Sequence, residues 1–345
     1  MNPSLKTPAN RLLITIVAAL LCMVCGAASA ATAIRFTLDR PIDGAAAPFI
    51  VAADNGLFAE EGLNVTTNVA AGSKDAIGRV AAGTSDIALA DLNVLIRLRD
   101  NDKMPAVKAV FVLFDTAPYA LIGRKSRGIE NIALIEGKTL GLVDGDPAAR
   151  LWPFVAKHNG VRTDKLKTEK ISAAVREPLL SAGQVDAVSG FSFLAAVNVR
   201  DRGVPADDLA ILHFSDFGCM AYGYALVVNP KFAAANPDAV KAFIRATIAG
   251  VKLSIKHPSR AIDSVIAGMN GGGSHDLELE RLQTVIRENI VTDDVKRNGI
   301  GAVAPARFDA SVAAIAEDFK FQKLPALADI FDASYLPAES ARQIH

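Results

Sequence analysis

Val80-Ala-Ala-Gly-Thr-Ser-Asp-Ile-Ala-Leu-Ala-Asp91 decides the reading of this chain, because Leu180-Ser-Ala-Gly-Gln-Val-Asp-Ala-Val-Ser-Gly190 echoes it one hundred positions later. Gly83 aligns with Gly183, Asp86 with Asp186, and a short apolar run follows each. A small-residue helix end, a glycine free to take positive φ, an aspartate and a buried strand together describe a helix-to-strand joint. Two such joints imply two α/β lobes of similar build. Facing lobes bring the residues just past those strands (Ala90 and Asp91; Gly190, Phe191 and Ser192) to one cleft. Open α/β sheets bind ligands at the carboxyl ends of their strands.

At 345 residues, the chain is long enough for two lobes of ordinary size, each with its own core. Apolar residues make up 51% and charged residues 21%, which describes a globular protein and not a disordered one. Lys+Arg and Asp+Glu balance at 37 each, and a net charge of zero argues against nucleic acid as partner. Residues 1–30 differ in kind. Lys6 and Arg11 precede the apolar run Leu12–Val24, and Ala28-Ser29-Ala30 supplies a small-residue cleavage site. This is the pattern of a secretory signal cleaved after Ala30, which predicts a periplasmic mature protein. The run is short for a membrane span. Cys22 and Cys25 leave with the signal, so Cys219 remains alone and is read as a small packed residue.

From Ala33 onward, strand and helix patterns alternate. Strands are expected at Ile34–Leu38, Asn64–Ala70, Ile87–Ala90 and Val107–Phe114. Helical periodicity runs over Ala45–Glu61, and Ser73 reads as an N-cap. A second block begins at Tyr119–Gly123 and continues through the strand Gly137–Val143. Asp146 then caps a helix that has Pro147 at its first position. A strand near Leu166–Ile171, a helix over Val175–Ala182 and a strand at Leu209–Phe214 follow. Tyr224–Val228 reads as the return into the first lobe. After Pro237 the pattern is helical throughout, and Asn270-Gly-Gly-Gly-Ser274 reads as a flexible connector. The predicted organisation is α/β: residues 31–117 and 226–345 form lobe one, 118–225 form lobe two, two crossovers form a hinge, and extra helices follow at the C-terminus.

Enzyme signatures are absent from the sequence. His158, His213, His257, His275 and His345 show no metal-ligand spacing, and no nucleophile elbow, phosphate loop or dinucleotide fingerprint follows a strand. No metal, no cofactor and no catalytic residue is expected. The cleft loops, by contrast, suit a small molecule. Ser73 and the Asp146–Ala149 turn open helices whose free N–H groups suit an anionic or strongly accepting group. Asp39 and Asp91 follow strands and suit a cationic or N–H-rich partner. Tyr119, Trp152 and Phe191 offer flat rings for a planar ligand.

Pro48-Phe-Ile-Val-Ala-Ala-Asp-Asn-Gly-Leu-Phe-Ala-Glu-Glu-Gly-Leu-Asn-Val65 carries a resemblance. It is similar to the periplasmic solute-binding proteins of ABC transporters for taurine, aliphatic sulfonates, nitrate and thiamine-pyrimidine precursors. Gly72, Gly83, Asp86, Ile87, the phrase Gly137–Gly141 and the phrase Ala182–Ala187 extend the match over roughly residues 33–255. The resemblance implies a type II periplasmic binding protein, a monomer that closes like a hinged trap and serves a permease and an ATPase. It implies ligand contacts at Asp39-Arg40, Gly72-Ser73, Ala90-Asp91, Asp144–Ala149 and Gly190–Ser192. Two ligand classes stay open, a planar nitrogen-bearing or aromatic compound and a sulfonate such as taurine. A sensor for a membrane receptor, or a periplasmic enzyme on the same scaffold, are the alternatives in function.

Overall fold

The computed structural model describes residues 31–100, 106–269 and 272–344. The expected signal segment and its cleavage site, and the first two residues of the Asn270–Ser274 connector, lie outside them. Ten strands form two five-stranded sheets. The first sheet takes β1 (Thr32–Leu38), β2 (Leu63–Val69), β3 (Ile87–Asp91) and β4 (Lys108–Val112). The second takes β5 (Tyr119–Arg124), β6 (Thr139–Val143), β7 (Lys167–Ile171), β8 (Ala187–Phe191) and β9 (Leu209–His213), after which β10 (Tyr224–Val228) returns to the first. The orders are β2-β1-β3-β10-β4 and β7-β6-β8-β5-β9. Each sheet holds a parallel trio and one antiparallel strand inserted beside it, β10 in the first and β5 in the second. The inserted strand in each case follows a crossover from the other sheet. Both sheets are thus the same topology used twice.

The repeated phrase explains part of this. Gly83 and Gly183 take left-handed φ of 76° and 68°, which turns each helix end back toward the sheet. Asp86 then accepts the backbone N–H of Arg35 at 2.8 Å, and Asp186 accepts that of Thr139 at 2.8 Å. The Asp86 and Asp186 backbone N–H groups donate to the carbonyls of the same two residues, both at 2.9 Å. The two aspartates are therefore equivalent fasteners between neighbouring strands.

Three local expectations change. The helix expected over Ala45–Glu61 is two helices, Ala47–Asp54 and Leu57–Glu60, because Gly56 between them takes φ 72°. Gly72, not Ser73, caps the helix Ser73–Ala82, because the Ser73 hydroxyl donates to Asp39 Oδ2 at 2.6 Å instead of to its own helix. The segment after Pro237 is helical over Pro237–Lys256, Pro258–Gly268, His275–Val285, Asp293–Asn298 and Pro305–Ala316, yet Gly301 and Phe331 make single bridges to Val112 and Ala109. Those bridges cover the free edge of β4, which otherwise presents unpaired backbone groups.

Helix Pro237–Lys256 packs on Ala47–Asp54, with Phe243 against Phe36 and Phe58 at ring distances of 5.1 and 4.9 Å. Helix Pro305–Ala316 reaches across to helix Pro147–His158 beside the second sheet. The C-terminal helices therefore brace both sheets.

Candidate functional site

A cavity of about 730 Å³ lies between the sheets, within the range of small-molecule sites. Its wall combines strand-end loops of the first sheet (Asp39, Arg40, Gly72, Ser73) with those of the second (Asp144, Asp146, Phe191). Helix starts at Ser73 and Pro147 face it from the two sides. Backbone N–H groups left free at a helix start carry partial positive charge.

Arg40 is held rigidly in this wall. It donates to Tyr224 OH at 2.6 Å, to Asp39 at 3.3 Å and to Asp43 at 3.2 Å, and its guanidinium lies 4.6 Å from the Tyr224 ring centre. Arg176 is held likewise, 3.6 Å from Asp146 and 2.6 Å from Glu177. Burial raises the Asp39 and Asp146 carboxyls above the usual range, although Arg40 and Arg176 pull them back. Phe191 reaches the cavity with Tyr224 at 6.1 Å, edge to face.

The structure separates the expected site residues into two groups. Asp39, Arg40, Gly72, Ser73, Asp146 and Phe191 line the cavity. Ala90, Asp91, Tyr119, Ala148, Trp152, Gly190 and Ser192 lie behind its wall. Their positions have physical reasons. Ala148 spends its N–H on the Asp146 carboxylate at 2.7 Å, and Trp152 turns into the core near Phe214. Gly190 lies where a Cβ would press on Ala195 and Arg176, and the Ser192 hydroxyl donates to Glu288 at 2.9 Å.

Asp91 and Tyr119 belong to the hinge. Tyr119 OH donates to Asp91 Oδ2 at 2.5 Å, and Asn93 Nδ2 donates to both Tyr119 OH and the Tyr222 carbonyl at 2.7 Å. Tyr119 follows the first crossover and Tyr222 ends the second. The Asp91 N–H donates to Ser73 Oγ at 3.0 Å, and Ser73 donates on to Asp39. One buried chain of hydrogen bonds therefore runs from both crossovers to the cavity floor. Burial pushes the Asp91 carboxyl up to about 6, against the pull of Tyr119 and Asn93.

Sequence reasoning missed Asn93, Arg97, Arg176 and Phe319 as lining residues. Asn93 and Arg97 sit one turn apart on helix Leu92–Leu98, a spacing that any surface helix shows. Cys219 is buried and its thiol is pushed up to about 11 by that burial, as expected of a packed residue.

Two lobes with this strand order and a cavity at their strand ends define the periplasmic-binding-protein fold. The periplasmic aliphatic sulphonate binding protein SsuA of Escherichia coli shares it at TM-score 0.69, with 11% identity over 88% of this chain and 99% of that one. The nitrate-binding protein NrtA of Synechocystis PCC 6803 shares it at 0.64, with 11% identity over 88% and 87%. Within that fold, the chain belongs to the family described as NMT1/THI5 like, which matches residues 44–261. A riboflavin-binding protein of Chloroflexus aurantiacus is 24% identical over 71% of this chain and 68% of its own length. A 4-amino-5-hydroxymethyl-2-methylpyrimidine phosphate synthase of Legionella pneumophila is 24% identical over 63% and 67%.

Proposed function

We propose that this protein captures a small organic solute in the periplasm and delivers it to an ABC importer. The carrying observation is the cavity itself, walled by strand-end loops of both sheets. A ligand that touches both walls binds the closed arrangement better than the open one and shifts the population by that difference. Micromolar affinity corresponds to about 8 kcal/mol. A few charge-assisted hydrogen bonds and one buried ring supply that.

The ligand is a planar, nitrogen-bearing ring compound in this reading. Phe191 and Tyr224 give ring surface, while Asp39 accepts N–H groups. A volume of about 730 Å³ suits a ring better than a two-carbon sulfonate such as taurine. Two relatives support the same direction, since one is named for riboflavin and the other for an aminopyrimidine. The protein acts as a monomer, with a permease and an ATPase as partners. Residues 1–30 direct export.

The name of the Legionella relative also supports a second reading, pyrimidine synthesis on the same scaffold. Native mass spectrometry of protein purified without refolding separates the two. Capture predicts an intact organic molecule that leaves on denaturation and stays chemically unchanged through a long incubation. Conversion of that molecule into a product of different mass would establish the synthase reading instead.

A further inference from the structure

We propose that Arg97 and Arg150 form a clamp for an oxyanion across the mouth of the cavity, so that the captured solute carries a phosphate, sulfonate or carboxylate group. The inference rests on the reading of the cavity as a ligand site and adds a charge to that ligand. Five cationic side chains line the cavity, Arg40, Lys74, Arg97, Arg150 and Arg176. Arg40 and Arg176 are bound up by the carboxylates described above. Arg97 meets one carboxylate through Nη1 alone, and Arg150 meets none among the described residues.

Arg97 stands on helix Leu92–Leu98 of the first lobe, and its side chain is only 10% exposed. Its Nη1 meets Asp318 at 3.1 Å, but its Nη2 is buried with no hydrogen-bond partner among the described residues. A buried guanidinium nitrogen left unpaired is costly, and a native site usually fills it. Arg150 stands on helix Pro147–His158 of the second lobe, exposed and without a carboxylate partner among the described residues. Burial lowers the Arg97 affinity for its proton, and the Arg150 charge lowers it further, although Asp318 opposes both. Both arginines line the same cavity, one from each lobe.

The surroundings fit an anion that closes this gap. Phe319 also lines the cavity, its ring centre 5.5 Å from the Arg97 guanidinium, and this contact holds the planar fork in one orientation. Lys74 adds a further positive charge on the same rim. Glu317 binds Lys157 of the second lobe at 2.9 Å while its neighbour Asp318 binds Arg97 of the first, so the chain after Pro305–Ala316 spans the mouth. An oxyanion between the guanidinium groups gains charge-assisted hydrogen bonds from both and removes their repulsion. Because the two arginines belong to different lobes, the anion favours the closed arrangement.

The test uses the full chain and its Arg97→Gln, Arg150→Gln and Arg245→Gln variants, the last altering an exposed pair with Glu61 remote from the cavity. Thermal unfolding is followed with inorganic phosphate, methanesulfonate or acetate, each against sodium chloride of equal ionic strength. At least one oxyanion should raise the wild-type and Arg245→Gln midpoints beyond chloride, and Arg97→Gln and Arg150→Gln should each weaken that effect at least about tenfold in apparent affinity. The effective anion identifies the source of the charge. No oxyanion effect beyond chloride, or an effect that survives in Arg97→Gln, overturns the clamp. Capture fails on a different result: an oxyanion effect that depends on both arginines, with no flavin or aminopyrimidine, phosphorylated or not, bound in calorimetry.

Discussion

The aspartates of the repeated phrase show how a residue can be conspicuous in sequence and still be structural. Asp86 lies at a helix-to-strand joint and accepts from the Arg35 backbone and side chain. Asp86→Ala removes those acceptors and should cost about 1–3 kcal/mol in urea unfolding while leaving ligand affinity unchanged. Lost affinity with unchanged stability would move this residue into the site. Asp91, a carboxylate after a strand, suits ligand binding in sequence, and here its side chain bonds Tyr119 and Asn93 behind the cavity wall. Its folded value of about 6 lies above the unfolded one, so the unfolded state binds fewer protons between about pH 4 and 6. Stability should therefore fall as pH rises through that window, by on the order of 3 kcal/mol from this residue. Urea unfolding of wild type and Asp91→Asn at several pH values checks this, since the difference between them should change across the window and level off above it. A constant difference would show that Asp91 titrates as an ordinary carboxyl. Ser73 was misread as a cap because its true partner, Asp39, is 34 residues away and local spacing carries no trace of it.

At the scale of the element, periodicity located most strands and helices, while contact between elements stayed hidden. The break at Gly56 interrupts a pattern whose apolar spacing continues through it, so spacing alone favoured one helix. Phe319 and Arg97 meet across more than two hundred residues, and Arg97 reads as one charge on an amphipathic helix. Gly250 is another position whose meaning appears only in packing. A Cβ there would lie 2.0 Å from the Pro48 carbonyl oxygen, where helix Pro237–Lys256 crosses Ala47–Asp54. Gly250→Ala should force these helices apart and cost at least about 1–3 kcal/mol, outweighing the alanine's better helix propensity. A more stable variant in denaturant titration would show that the two helices can separate freely.

For the whole molecule, the duplicated phrase was enough to expect two lobes, and the two sheets share one strand order. The hinge was legible only as the start of a second block at Tyr119 and a return at Tyr224. Its hydrogen-bond chain joins Tyr119, Asn93, Asp91, Ser73 and Asp39, residues from four separate stretches of sequence. That chain connects the cavity floor to both crossovers, the route by which the proposed capture would couple cavity occupancy to lobe position. Solution scattering should accordingly show a smaller radius of gyration once a ligand is bound, and an unchanged radius would mean that binding needs no closure. The central claim, capture of an organic solute between the lobes, is tested most directly by a thermal-shift panel of flavins, aminopyrimidines, aromatic acids, sulfonates and nitrate on the wild type and a Phe191→Ala variant. The account predicts that a ring-bearing class raises the wild-type midpoint and that Phe191→Ala removes most of the shift. No shift from any class, or one indifferent to Phe191, would contradict it.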